Sequence, residues 1–238
     1  MRYALVTGTD HGVGLELVRD LLQRGYFVVA CRLNPKETQV DELQAEYGQQ
    51  LSIVELNIGA DESVAAMKEQ VADLLPHIDL LINNAGVLGN MDKVLGDTLD
   101  FNEILQIINV NAVGTLRVTN ALSELVRKST GKTVLNISSE AGSIADCYRE
   151  GWFGYCMSKT ANNMQSALVH NNLRTEGGRV IVMHPGHVAT YMRGHLDTTA
   201  SLTAEASAKA ILHTVLDTEL PVEERPLYID YQGERLPW

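Results

Sequence analysis

Tyr155 and Lys159 are a pair of residues whose types and spacing are suited to proton chemistry. They lie four positions apart in the stretch GYCMSK, residues 154–159. Residues at i and i+4 share one face of a helix, so both side chains are expected to point into one cleft. A neighbouring ammonium favours the phenolate and lowers the pKa of a tyrosine from its usual value of about 10. The pair therefore predicts a tyrosine that exchanges a proton with a substrate oxygen, with Lys159 adjusting its acidity.

A glycine-rich turn near the N-terminus predicts a phosphate-binding site. Residues 7–14 read TGTDHGVG and connect a short apolar run to a helical pattern. Gly8 permits the tight turn, Gly12 lets the backbone approach a pyrophosphate, and Gly14 lets helix and strand pack closely. The N-terminus of the helix then offers unpaired N–H groups to the phosphates. The alternative is a strand–helix turn that needs its glycines only for their conformation.

The end of the second apolar run bears on which dinucleotide binds. Chains that bind NAD usually place an acidic residue there for the ribose 2′-hydroxyl, whereas this chain reads ACRLN over residues 30–34. Arg32 is placed to pair with a 2′-phosphate, so we expect NADP(H), with NAD(H) as the alternative. Asp10 weakens this expectation because it puts a negative charge near the phosphates, which His11 partly offsets. The alternative for Arg32 is a solvated turn residue.

Seven apolar runs of strand length alternate with amphipathic segments. The runs are nearly continuous in Val, Ile and Leu, as in parallel strands buried on both faces, and they span residues 3–8, 26–31, 51–57, 79–86, 132–139, 179–186 and 225–230. Helical patterns lie between them at residues 14–25, 36–47, 61–74, about 98–127, about 152–176 and about 203–217. Gly25 is placed to end the first helix, and Asp61 to cap the third.

This alternation of strands and helices predicts the fold class. It is an α/β fold of the doubly wound, Rossmann type: a mostly seven-stranded parallel sheet with helices on both faces. No internal repeat or linker interrupts residues 1–238, which are expected to form a single domain.

The composition argues against several classes of function. Apolar residues make up 45% of the 238 residues and charged residues 21%, as in globular proteins with a core, and the net charge of −11 argues against nucleic acid. No apolar stretch reaches the length of about 18 residues that spans a bilayer, and the opening MRYALVTG leaves no room for a signal peptide. The three cysteines are odd in number and irregularly spaced, so a cytoplasmic protein with reduced thiols is expected. No Cys or His spacing resembles a metal site.

Six motifs, in order along essentially the whole chain, resemble the short-chain dehydrogenase/reductases in their compact single-domain branch. They are TGTDHGVG at 7–14, NNAG at 83–86, NVNAVG at 109–114, SSEAG at 138–142, YCMSK at 155–159 and PGHVAT at 185–190. The HPG turn and the ending YQGERLPW further resemble sniffer-like and C-factor-like carbonyl reductases. Asn57 departs from the family pattern, which often has Asp near the adenine.

The resemblance implies hydride transfer between a nicotinamide and a carbonyl or alcohol substrate. By resemblance, Ser139 holds the reacting oxygen, Lys159 also contacts the nicotinamide ribose, and Asn111 helps hold a water in the proton relay. The implied cofactor contacts are Gly8, His11, Gly12, Val13, Gly14, Arg32, Asn57, Ile58, Asn84, Tyr155, Lys159, Val188 and Thr190. Family members often pair through the long helices, so a homodimer or homotetramer is expected.

The substrate side of the site is less defined by the sequence. Residues 190–202 are polar and irregular, which is typical of a mobile lid over a substrate. Candidate walls of the substrate site are Cys147, Tyr148, Trp152, Tyr191 and Met192. None of them identifies a substrate.

The sequence supports one main hypothesis and leaves two alternatives open. The main hypothesis is NADPH-dependent reduction of an aldehyde or ketone. The alternatives are an NAD-dependent alcohol dehydrogenase and a non-catalytic, dinucleotide-sensing regulator on the same fold. The presence of both Tyr155 and Lys159 favours an enzyme.

Overall fold

All seven predicted strands are present in the computed structural model, which describes residues 1–238. They are β1 (Arg2–Thr7), β2 (Tyr26–Arg32), β3 (Leu51–Glu55), β4 (Leu80–Asn83), β5 (Thr133–Ile137), β6 (Arg179–His184) and β7 (Leu227–Asp230). They form one sheet in the order β3-β2-β1-β4-β5-β6-β7, and every neighbouring pair is parallel. The predicted doubly wound fold is confirmed.

Seven α-helices connect the strands. They are α1 (Gly12–Gln23), α2 (Gln39–Tyr47), α3 (Asp61–Leu74), α4 (Phe101–Ile108), α5 (Thr115–Lys128), α6 (Phe153–Leu173) and α7 (Ala204–Leu212). The single helix predicted for about 98–127 is divided by a π-helical segment, Asn109–Gly114, between α4 and α5. A second π-helical segment, His213–Asp217, continues α7. None of these helices is both long and apolar enough to cross a membrane.

The two faces of the sheet are covered by separate hydrophobic cores, which explains the continuous apolar runs. Along β1, Ala4 and Val6 pack with α1, α2 and α7, whereas Leu5 between them packs with α3 and α5 on the other face. Successive side chains of a strand point to opposite faces, so a strand buried on both faces needs apolar residues at every position.

Two predicted helix ends have different outcomes. Gly25 follows the end of α1 with φ of +77° and donates its N–H to Leu22 O at 2.9 Å, as expected of a glycine that ends a helix. Asp61 does not cap α3: it is the first helical residue, and Ala60 stands at the cap position. Its carboxylate pairs instead with Arg117 from α5. An ion pair between helices has replaced the local cap.

Candidate active site

A cleft of about 830 Å³ opens at the carboxyl edge of the sheet, where the strand order reverses between β1 and β4. Crevices at such a reversal are where open α/β sheets bind ligands. Most residues predicted for the site line this cleft: Gly8, His11, Gly12, Val13, Gly14, Asn57, Ile58, Asn84, Ser139, Tyr155, Lys159, Val188 and Thr190. Arg32 and Asn111 are not among its lining residues.

The glycine turn between β1 and α1 fits a pyrophosphate. Gly8 has φ of +69°, and a Cβ added to Gly14 would lie 2.1 Å from Gly8 O, so the turn and helix can approach only without side chains. His11 stands at the cap position of α1 without a side-chain cap, and the first turn carries no acidic residue. The first N–H groups of α1 are therefore free of side-chain partners and available to phosphate oxygens.

Asn84 at the end of β4 holds the turn from the neighbouring strand. Its Nδ2 donates to Thr7 O at 3.0 Å and to Gly8 O at 2.9 Å. The Thr7 hydroxyl in turn accepts from the N–H groups of Asn84 and Ala85. The NNAG motif thus has a structural role: it fixes the backbone of the cofactor turn.

Tyr155 and Lys159 lie on the buried face of α6 and are 8% and 3% exposed. The Lys159 Nζ lies 5.5 Å from the centre of the Tyr155 ring and donates to Ile137 O at 3.0 Å. Burial raises the pKa of Tyr155 to about 12, against a smaller lowering by its hydrogen bond with Ser139. Burial also lowers the pKa of Lys159 to about 8. Desolvation of the phenolate is the largest influence on the pKa of Tyr155, and the lowering of that pKa by Lys159 stays a prediction.

Ser139 lies two residues beyond β5 and beside Tyr155. It caps a short 3₁₀ turn, Glu140–Gly142, with its hydroxyl accepting from Ala141 N–H at 3.2 Å. The Tyr228 hydroxyl donates to Ser139 O at 2.6 Å and holds the backbone of Ser139 in place. Ser139 is therefore a fixed hydroxyl group on the same wall of the cleft as the phenol.

Asn111 lies in the π-helical segment between α4 and α5 and is 1% exposed. Its Oδ1 accepts from Val87 N–H and its Nδ2 donates to Val87 O, both at 2.8 Å. Nδ2 also donates to Ser158 Oγ at 3.0 Å. The side chain thus positions the loop after β4 against α6, and the role in a water relay stays a prediction.

Arg32 is held away from the cleft. Its Nη1 donates to the Asp41 carboxylate at 2.6 Å and to Glu37 O at 3.4 Å, and the side chain is 13% exposed. Glu37, in contrast, lines the cleft. The structure therefore does not bring to the cleft the guanidinium on which the expectation of NADP(H) depends.

The Asp10 side chain lies at the end of β2, whereas the sequence placed it only near the phosphates. Its carboxylate accepts from the N–H groups of Leu33 and Asn34, which follow β2 directly. All three residues line the cleft. The glycine turn thereby contributes an acidic group at the end of β2, where the sequence itself has none.

Trp152 lines the cleft next to Tyr155. It has φ of +62°, a left-handed conformation that is uncommon outside glycine, and its ring lies edge-on to that of Tyr155 at 6.2 Å. Arg149 lies over the Trp152 ring at 4.7 Å and pairs with both carboxylate oxygens of Glu140. Met192 also lines the cleft. The other predicted wall residues do not line it: Cys147, Tyr148 and Tyr191.

Comparison with known proteins identifies the family. A sequence profile described as short chain dehydrogenase matches residues 2–201. The chain belongs to this family. It is therefore an oxidoreductase of the short-chain dehydrogenase type, and its glycine turn, Ser139, Tyr155 and Lys159 line one cleft.

Three similar proteins illustrate the range of the family. The C-signal protein of Myxococcus xanthus is 38% identical over 161 residues, which cover 68% of this chain and 93% of that protein. A carbonyl reductase from chicken fatty liver, with NADPH bound, has a TM-score of 0.87 and 28% identity, covering 100% of this chain and 94% of that chain. Carbonyl reductase Sniffer of D. melanogaster has a TM-score of 0.90 over 100% of both chains, and its 22% identity shows the fold alone.

Several curated relatives of this short-chain dehydrogenase are longer than the chain. At 31–32% identity, the chain spans 57–59% of the length of three of them. A large part of each of these proteins lies outside the match, so their activities are not assigned to this chain.

The segment predicted as a lid, residues 190–202, is irregular and centred on Asp197. The Asp197 carboxylate accepts from His187 Nε2 at 3.0 Å and from both the N–H and the hydroxyl of Thr199, and it pairs with Arg193. The hydrogen bonds from Thr199 and His187 hold the pKa of Asp197 well below its usual range. Arg193 and Asp197 both line the cleft. The movement of this segment stays a prediction.

Two features of the cleft of this dehydrogenase were not predicted from the sequence. His184 ends β6 and lines the cleft; its Nδ1 is buried without a hydrogen-bond partner, and burial lowers its pKa. The Glu140–Arg149 pair also lines the cleft. The HPG motif contained the signal for His184, whereas a pair nine residues apart on an irregular segment carries no periodic signal.

Proposed function

We propose that this oxidoreductase reduces the carbonyl group of an aldehyde or ketone to an alcohol, with Tyr155 as the proton donor. The observation that carries the proposal is that the buried side chains of Tyr155, Ser139 and Lys159 line one cleft. Burial raises the pKa of Tyr155 to about 12, so the phenol carries its proton at neutral pH and has one to donate.

The residues of the cleft divide the reaction between them. A bound dinucleotide would supply the hydride that adds to the carbonyl carbon. The Tyr155 hydroxyl gives its proton to the carbonyl oxygen, which completes the alcohol and leaves a phenolate. The Ser139 hydroxyl is placed to hydrogen-bond the same oxygen and hold it near the phenol. Lys159, with a pKa of about 8, is mostly protonated near neutral pH and is suited to restoring the proton of Tyr155.

The proposed reaction holds with either dinucleotide. NADP(H) and NAD(H) carry the same hydride and differ by a 2′-phosphate on the adenosine ribose. The preference for NADP(H) that Arg32 predicts concerns the far end of the cleft and does not affect the proton transfer.

The same observations favour an enzyme over a non-catalytic sensor, and alcohol oxidation by these residues would be the reverse of the proposed reaction. A non-catalytic sensor has no need of a buried phenol, hydroxyl and ammonium that converge on one cleft. The likeness to the chicken carbonyl reductase also supports carbonyl reduction.

The variant Tyr155→Phe tests the proposal. We expect turnover of a panel of aldehydes, ketones and dicarbonyls to fall by about 10²–10⁴-fold, because only the proton donor is removed. Dinucleotide affinity, measured by fluorescence titration, is expected to be unchanged. Tyr3→Phe is the matched control, because Tyr3 is a half-buried tyrosine at the start of β1 and outside the cleft. Near-normal turnover by Tyr155→Phe would refute the role of Tyr155.

A further inference from the structure

The carboxylate of Asp10 links the glycine turn to the end of β2. Its Oδ1 accepts from Asn34 N–H at 2.6 Å and from Leu33 N–H at 3.0 Å, and its Oδ2 accepts from Leu33 N–H at 3.0 Å. Consecutive backbone N–H groups on a loop are a common binding site for an anion. Here the chain's own carboxylate occupies both of them. A phosphate group of a ligand would have to compete with Asp10 for these donors.

Asp10 also remains open to the cleft. It is half-buried and lines the cleft together with Leu33 and Asn34. A carboxylate has about four acceptor positions, and the contacts with the two N–H groups leave room for a further donor. An acidic acceptor at the end of the second strand suits the ribose 2′-hydroxyl of a dinucleotide. The glycine turn therefore supplies the acid that NAD-binding chains usually carry at the end of β2.

The cations of this region are not directed at the cleft. The Arg32 Nη1 is paired with Asp41 at 2.6 Å, and Arg32 does not line the cleft. Lys36, the other cation of the loop after β2, is exposed and does not line it either. Glu37 adds a second acidic side chain to the lining. A 2′-phosphate would meet like charge here, without the charge-assisted donors that phosphate recognition uses.

We propose that Asp10 makes the cleft selective for NAD(H) over NADP(H), by accepting a hydrogen bond from the 2′-hydroxyl and repelling a 2′-phosphate. The inference rests on the proposed function in that it names the dinucleotide that the proposed reaction uses. It reverses the preference for NADP(H) predicted from Arg32, because the Arg32 guanidinium is paired with Asp41.

Binding titrations of the full chain with NADH and with NADPH test the inference without any turnover. We expect NADH to bind at least about tenfold more tightly, a difference of about 1.4 kcal/mol. Asp10→Asn keeps the size and one acceptor oxygen but removes the charge. In this variant NADPH is expected to bind more tightly than in the wild type, so the ratio of affinities falls towards one.

Two further variants separate the effects of Asp10 and Arg32 from that of net charge. Asp41→Asn removes the charge that pairs with Arg32 and is expected to strengthen NADPH binding with little change for NADH. Glu62→Gln removes one negative charge from an exposed position on α3 and is expected to leave the ratio unchanged. Thermal unfolding of each variant shows whether it is folded. If Asp10→Asn is not folded, the ratio of NADH and NADPH affinities of the wild type tests the inference by itself.

The outcomes distinguish this inference from the proposed function. Equal or tighter binding of NADPH by the wild type would overturn the selection by Asp10 and leave carbonyl reduction intact. An unchanged ratio in folded Asp10→Asn would also overturn it. Failure of both dinucleotides to bind would refute the inference and the proposed function together.

Discussion

The two ends of the cleft are controlled by different electrostatic effects. At the reacting end, Ser139, Tyr155 and Lys159 are each less than 10% exposed, and burial is the largest influence on the pKa of the phenol and of the amine. At the adenosine end, Asp10 lies in the turn after β1 and Arg32 is the last residue of β2. Both are partly buried, and their properties depend on the partner with which each is paired.

The ionisation of the groups at the two ends therefore depends on different features of the structure: depth of burial at one end and the choice of partner at the other. Desolvation moves the tyrosine pKa up and the lysine pKa down, so both groups shift towards their neutral forms, and this follows from depth alone. Pairing on a loop depends on the alternative partners within reach. Arg32 is paired with Asp41, and the local sequence around Arg32 does not specify whether its partner is a carboxylate of the chain or a phosphate of a ligand.

The largest effect is expected for Tyr155→Phe, and Ser139→Ala extends the test of the buried end. Loss of a fixed hydrogen-bond donor to a reacting oxygen costs about 10²–10³-fold in turnover. Dinucleotide affinity should not change. Ser138→Ala is the matched control: Ser138 also lines the cleft, but its hydroxyl donates to Asn163 Oδ1 at 2.7 Å, so its loss should lower stability rather than turnover. Equal losses of turnover in the two variants would contradict the role of Ser139.

Lys159→Met tests whether burial controls the reacting end. The pKa of Lys159 falls from its usual 10.5 to about 8, so between these pH values the unfolded chain holds a proton that the folded chain has released. The free energy of unfolding of the wild type, relative to Lys159→Met, should therefore rise between pH 8 and pH 10.5, by about 3 kcal/mol. Below pH 8 the difference should be constant. Chemical denaturation at a series of pH values measures it.

A pH-independent difference between the wild type and Lys159→Met would show that the amine is not desolvated. The buried end would then resemble the exposed end, with contacts rather than burial in control. Lys132→Met is a suitable control, because Lys132 is a lysine of the chain surface whose Nζ donates to Glu176 O.

The smallest effect is expected for Asp197→Asn in the segment over the cleft. This change weakens the contacts of Asp197 with His187, Thr199 and Arg193. Since a hydrogen bond contributes about 1 kcal/mol, we expect dinucleotide affinity to fall about fivefold, with turnover at saturation little changed. Asp73→Asn, on the exposed face of α3, controls for the loss of charge. Unaltered affinity would show that residues 190–202 do not contribute to cofactor binding.

Much of the fold could be predicted because its signals are local. The strands are buried on both faces, so they are continuous apolar runs, and α3 begins and ends at the predicted residues 61 and 74. The division of the helix at 101–128 could not be predicted. The residue types of NVNAVG, residues 109–114, do not by themselves indicate a π-helical segment. In the structure, Asn111 of this segment contacts Val87 and Ser158 from other parts of the chain.

The sequence by itself determined the sheet, the glycine turn and the placement of Tyr155 beside Lys159, because each depends on residues near one another in the chain. Tertiary structure decided the state of those groups. It buried the phenol deeply enough to raise its pKa, and it paired Arg32 with Asp41 and Asp10 with the backbone after β2. Burial depth and the choice among charged partners are properties of the packed chain, so local spacing cannot specify them.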